Sequence, residues 1–165
     1  MAQPGEQAAA PIVVVIDTNI WLDMLVFDDP RTRRLASLLR PAQGAQVAQV
    51  AAPLSSEEMR AELVDVIARP RFKLDDAAQA ALLGRYDAVV TPATVALDCR
   101  LPCRDPDDRK FLDLAIGRRT SWLLSRDRAL LAARKVAWSR FGVRVGVVAD
   151  FYNWFDETSL ATSTP

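Results

Sequence analysis

Short apolar runs and amphipathic stretches alternate along the chain. Ile12-Val-Val-Val-Ile16 is a continuous run of β-branched residues, the signature of a strand buried on both faces. Ser121-Trp-Leu-Leu124 and Val143–Val148 are two more apolar runs of strand length, and Gln46–Ala51 is a weaker one. Between them the apolar spacing becomes helical. Asn19–Phe27 carries Ile20, Leu22, Leu25 and Val26, and Arg31–Leu39 carries Leu35, Leu38 and Leu39. Ser55 and Ser56 followed by Glu57 and Glu58 predict an N-cap with an acidic first turn, and that helix must end before Pro70. Asp75 and Asp76 open another helix running to about Tyr86. Asp107–Gly117 keeps Phe111, Leu112, Leu114, Ala115 and Ile116 apolar after an acidic start. Strands separated by helices predict βαβ units: a parallel sheet covered on both faces, hence a three-layer α/β/α domain.

No internal repeat or linker divides the 165 residues, a length that suits one domain. The expected domain covers 12–157, between loose tails at 1–11 and 158–165. The first ten residues hold Glu6 and no Lys or Arg, unlike a secretory signal. The run 12–16 ends at Asp17, far short of the ~20 residues a membrane span needs. A cytoplasmic location with no membrane association is expected. Eighteen arginines against three lysines, with abundant alanine, suggest a GC-rich bacterial genome.

Lys+Arg and Asp+Glu both number 21, so no global field steers a polyanion and any nucleic-acid binding needs a local patch. There is no histidine. That removes Ser-His-Asp and Cys-His triads, histidine metal sites and the two-histidine ribonuclease mechanism. The two cysteines, Cys99 and Cys103, are too few for a disulfide scaffold or a zinc site without histidine, and read as free thiols. Acid–base or metal chemistry falls to carboxylates.

Sheets of this class place their sites at the carboxyl ends of the strands, and four acids stand out by position. Asp17 ends the first strand, Asp127 follows the strand 121–124, Asp108 sits at a helix start, and Glu62 lies mid-helix between Ser55 and Pro70. Local roles compete with this reading. Asp127 suits an N-cap, Asp105 and Asp107 suit a turn beside Pro106, and Glu62 suits an exposed helical face near Asp65 and Arg69. Asp17 is harder to dismiss, because a charge directly after five buried aliphatics needs a partner or a metal. Such a cluster, with no compensating histidine or lysine, would repel itself unless cations filled it. Hard oxygen ligands suit Mg²⁺ or Mn²⁺.

Four blocks of sequence now stand together: Val-Val-Val-Ile-Asp17-Thr18-Asn19-Ile, Glu62-Leu-Val-Asp-Val-Ile-Ala-Arg-Pro-Arg-Phe72, Cys103-Arg-Asp-Pro-Asp-Asp108-Arg-Lys-Phe-Leu-Asp-Leu-Ala115, and Leu124-Ser-Arg-Asp127. In order and spacing they resemble PIN-domain proteins, in the branch that forms the toxin components of toxin–antitoxin systems. The resemblance covers roughly residues 12–151. It implies a five-stranded parallel sheet of order 3-2-1-4-5 and a metal-dependent endoribonuclease site using Mg²⁺ or Mn²⁺. The acidic quartet would be Asp17, Glu62, Asp108 and Asp127, with Asp17, Asp108 and Asp127 on the metal and Asn19 and Ser125 as polar support. Ser125 replaces the family's usual Thr and keeps the hydroxyl. Ala129 stands where many members carry a second Asp. Among Asp105, Asp107 and Asp108 the ligand is open, with Asp108 favoured by the helical offsets of Phe111, Leu112 and Ala115. A cognate antitoxin is implied as partner, covering the site or inserting Arg among the acids, and a homodimer of the kind common among relatives is left open.

Residues 99–135 support an RNA surface independently, with ten basic residues against five acids. Arg104, Arg109, Lys110, Arg126 and Arg128 are the expected phosphate contacts. Trp21 and Trp122 read as core, while Trp138 and Trp154 are the more exposed pair. Two rivals remain. An Asp-nucleophile phosphatase would need a general acid where Asn19 stands. A non-catalytic PIN-like scaffold binding RNA or protein would share every feature except productive metal.

Overall fold

The computed structural model describes residues 10–40, 50–94, 101 and 105–162. Its centre is a sheet of β1 (Ile12–Ile16), β2 (Ala51–Ser55), β3 (Thr91–Pro92), β4 (Trp122–Leu124) and β5 (Arg144–Gly146). Every pairing is parallel and the order is β3-β2-β1-β4-β5, as the resemblance implied. Around the sheet lie α1 (Thr18–Leu25), α2 (Arg33–Leu39), α3 (Glu57–Ile67), α4 (Asp76–Asp87), α5 (Arg109–Gly117), α6 (Arg128–Ala132), α7 (Arg134–Phe141) and α8 (Val148–Thr162). Among the described residues no helix is long and apolar enough to cross a membrane.

β1 organises the layers because successive side chains point to opposite faces. Val14 and Ile16 join one core with Trp21, Leu63, Tyr86 and Phe151, whereas Val15 joins the other with Phe111, Leu114, Leu123 and Leu130. A strand flanked by covered faces tolerates no polar residue, and none interrupts the five. The predicted caps form: the Ser56 side chain accepts from Met59 N at 3.3 Å, and that of Asp75 from Ala78 N at 2.8 Å.

The sheet reverses direction of growth at β1, with β2 on one side and β4 on the other, which creates a crevice at their carboxyl ends. The ladder continues one residue past the strands there. Asp17 N donates to the Leu124 carbonyl at 2.9 Å and Ser125 N to the Gly146 carbonyl at 3.0 Å.

Several boundaries differ from the sequence reading. The second strand is Ala51–Ser55, and of the expected Gln46–Ala51, residues 46–49 lie outside those described. Its composition, Ala-Ala-Pro-Leu-Ser, carries little apolar signal, and pairing of Ile12 with Ala51 through Val15 with Leu54 is what selects it. β3 has only two exposed residues and no sequence signature. β5 stops at Gly146, short of Val148, because Asp150 Oδ2 accepts from Val147 N at 3.1 Å and starts α8 there. Residues 158–162, expected as a tail, belong to that helix.

Gly146 is required by close approach. A Cβ there would lie 2.8 Å from Asp150 Oδ2 and 3.1 Å from Cζ3 of buried Trp122. Gly146→Ala is expected to destabilise the fold by about 1–3 kcal/mol, the usual cost of overpacking. Urea melts of the two proteins measure it, and equal midpoints would disprove the steric argument.

Candidate acidic site at the carboxyl edge of the sheet

Asp17 leaves β1 at the N-cap position of α1, yet its side chain makes no capping bond. The carboxylate turns across the sheet edge instead, where Oδ2 accepts from Asn19 Nδ2 at 2.7 Å and from Ser125 Oγ at 2.5 Å. It is 4% exposed. Burial pushes its pKa up to about 6; like charge on Glu62 and Asp127 pushes the same way, and the hydrogen bonds from Ser125 and Asn19 oppose it.

Ser125 is fully buried and fixes two acids at once. Its Oγ donates to Asp17 and accepts from the backbone N of Asp127 at 2.9 Å. Asp127 in turn caps α6, with Oδ1 accepting from Ala129 N at 2.6 Å. The N-cap role and membership of the acidic set are therefore compatible, since one carboxylate has lone pairs for both.

Asp108 arrives from the turn before α5. Its pKa is pushed up to about 7, first by burial and then by Asp127, Asp17, Asp105 and Glu62. Of its neighbours, Asp105 accepts from Asp107 N at 3.0 Å as a turn residue. Asp108 is thus electrostatically coupled to Asp17 and Asp127.

Glu62 on α3 does not stand among solvated partners near Asp65 and Arg69. Its carboxylate is ion-paired with Lys110 Nζ from the first turn of α5. The expectation of no compensating lysine is overturned: Lys110 bridges α3 and α5, and its Nζ also donates to the Asp107 carbonyl. The reason is desolvation, since a half-buried carboxylate beside three others demands a cation. Arg126 is similarly engaged. Its guanidinium donates to both oxygens of Asp23, at 2.9 and 3.1 Å, and its backbone N to Asn19 Oδ1 at 3.4 Å. Arg109 pairs with Asp113 at 3.5 Å, Arg128 is exposed, and Arg104 lies outside the described residues. Sequence reasoning missed Asp23. The signal was there: an acid on the inward face of an amphipathic helix needs a cationic partner.

The donor set fits a hard divalent cation. It is all oxygen, without imidazole or thiolate, and two of its carboxyls are raised by burial and, after it, by a mutual repulsion that a cation would relieve. Among the described residues no three acids stand close enough together to hold a metal ion between them. What exists is an electrostatically coupled set with Asp17 as its buried member.

A family model described as PIN domain matches residues 13–129, from β1 to the start of α6 and well over half of the chain. All four acids fall within that range. No curated protein matches the sequence significantly.

Because Asp17 holds its proton more tightly when folded than at the unfolded value of 3.8, the associated stability is full below about pH 4 and is lost as pH rises to about 6. Asp17→Asn, which mimics the protonated acid, should raise metal-free stability near pH 7 by about 2–3 kcal/mol and flatten that pH dependence. Urea melts in chelator at pH 4 and pH 7 measure both effects. A variant less stable than the wild type at pH 7 would instead make Asp17 a structural anion.

Proposed function

Because the chain belongs to the PIN-domain family, whose members are typically metal-dependent nucleases, we propose that it is an Mg²⁺- or Mn²⁺-dependent endoribonuclease. The observation that carries this is the coupling of Asp17, Glu62, Asp108 and Asp127 at the switch point of the sheet, with two of them titrating far above ordinary carboxylates. The finer reading is a bacterial cytoplasmic toxin held off by a cognate antitoxin. It is supported by the four sequence blocks around those acids.

Asp17, Asp108 and Asp127 would hold the cation, with Glu62 at its margin. When bound, such an ion supplies Lewis acidity toward a phosphate oxygen and acidifies water. This chain's own residues set the conditions. Asn19 and Ser125 hold Asp17 in one orientation, so little reorganisation is needed on loading. Lys110 neutralises Glu62, so that the pair adds no net negative charge where an incoming phosphodiester must be tolerated. The wall of buried aliphatics beneath β1 excludes water from the other side of Asp17.

Incubating the purified protein with single-stranded RNA in Mn²⁺, Mg²⁺ or EDTA tests the proposal. Cleavage should require the metal and vanish in Asp17→Asn and Asp108→Asn. Ser125→Ala, which removes only the orienting hydroxyl, should cost about 10–100-fold in metal affinity or rate while the protein stays folded. Cleavage that persists in EDTA would overturn the metal reading. A folded wild type that cleaves nothing in either metal would make the domain a non-catalytic scaffold.

A further inference from the structure

Residues 128–149 hold Arg128, Arg134, Lys135, Arg140 and Arg144 and no acid at all. The fold lays this stretch along one edge of the molecule, through α6, α7 and the edge strand β5. It lies almost wholly beyond the segment that the family model matches. α7 turns Ala137 into the core and leaves Arg134, Lys135, Trp138 and Arg140 exposed. Trp138 lies three and four residues after Lys135 and Arg134, so the three share one helical face.

Trp138 is 51% exposed, an unusual position for so large an apolar ring. It is also braced. The Arg144 guanidinium sits 4.3 Å from the Trp138 ring centroid and 5.1 Å from that of Trp154, which in turn packs on buried Trp122 at 5.8 Å. The indole is therefore fixed in place by a cation anchored on the core. Several surface arginines elsewhere are matched by an acid: Arg31 with Asp29, Arg34 with Asp156, Arg60 with Asp87. Among the described residues Arg128, Arg134, Lys135 and Arg140 have no acidic partner. Asp150, the first acid after the stretch, accepts from the Val147 N–H at the start of its own helix.

The edge also leads to the acids. Arg128 directly follows Asp127. Arg144 is in register with Trp122 and, through it, with Val14, three residues before Asp17. Strand geometry then separates Arg144 from Asp17 by about 10 Å along the strands and about 10 Å across them.

We propose that the α6–α7–β5 edge is a binding track for single-stranded RNA, with phosphates along Arg128, Arg134 and Lys135 and one base stacked on Trp138 against Arg144. Unmatched cations supply the charge complementarity, and the braced indole supplies a flat apolar face that only an unpaired base can reach. The assignment rests on the ribonuclease reading for its direction toward the acids, and it makes the substrate of that site single-stranded.

The test is equilibrium binding in EDTA, where nothing is cut, of a short labelled single-stranded RNA, the same sequence as a duplex, and heparin. Trp138→Ala should weaken single-strand binding about tenfold, the scale of one stacked base, and leave heparin binding unchanged. Trp138→Phe should restore most of it. Arg134→Ala with Lys135→Ala should make the log–log salt slope shallower by about 1.4, two phosphate contacts at about 0.7 each. This variant leaves the indole untouched and reads the track even where a Trp138 substitution unfolds the protein. Single-strand binding unaffected by either variant, equal losses for RNA and heparin in Trp138→Ala, or a preference for the duplex would overturn the proposal. Cleavage in Mn²⁺, scored separately, keeps the two readings apart. Trp138-dependent binding without cleavage leaves the track standing and removes the nuclease; cleavage with Trp138-independent binding does the reverse.

Discussion

The negative charge of Asp17, set at the end of a strand buried on both faces, is the constraint around which the rest of this molecule is arranged. A carboxylate 4% exposed cannot be left to itself in a protein interior. Here it is held by two short polar side chains, Asn19 two residues on in the first turn of α1 and Ser125 from the neighbouring strand end. Those bonds do not cancel the cost of burial, as the raised titration near 6 shows. The residual cost is what gives the site its appetite for a cation.

The acids around Asp17 divide into those answered by the protein and those left unanswered. Asp23 is matched by Arg126, and Glu62 by Lys110, each pair tying two elements together across the crevice. Asp127 satisfies a helix N-terminus, which favours negative charge there without neutralising it. Asp108 has no cationic partner among the described residues and titrates near 7. The unanswered charge is thus concentrated on Asp17, Asp108 and Asp127, and Ser125 sets the spacing of the first and last. Matched pairs shape the crevice; unmatched acids give it chemistry.

A chain with zero formal net charge still carries a strongly polarised surface. Acids converge at the carboxyl edge of β1 and β4, while the following segment through α7 and β5 is free of acid. Parallel topology makes this separation inexpensive, because every βα connection emerges on the same edge and the helices return along the faces. An anion approaching such a molecule meets attraction along α7 and repulsion at the crevice, unless a divalent cation reverses the sign there.

The sequence by itself determined the layer architecture, since a five-residue β-branched run and a helical period between apolar runs admit little else. It determined the helix starts at Ser56 and Asp75 too, because capping is local chemistry carried by the residue and its next three neighbours. It singled out Asp17, as a charge that could not sit comfortably where it fell. It did not determine β2, β3 or the end of β5. Those are chosen by register with a neighbouring strand or by a capping bond from α8, and Ala-Ala-Pro-Leu-Ser has no pattern of its own. Nor did it reveal which cations meet the acids. Lys110 and Arg126 read as surface charges in a basic stretch, and only the packing of α5 against α3, and of the β4–α6 loop against α1, turns them onto Glu62 and Asp23. Local rules fix how a segment folds; which charges meet is settled by contacts between segments far apart in the chain, and no periodicity records them.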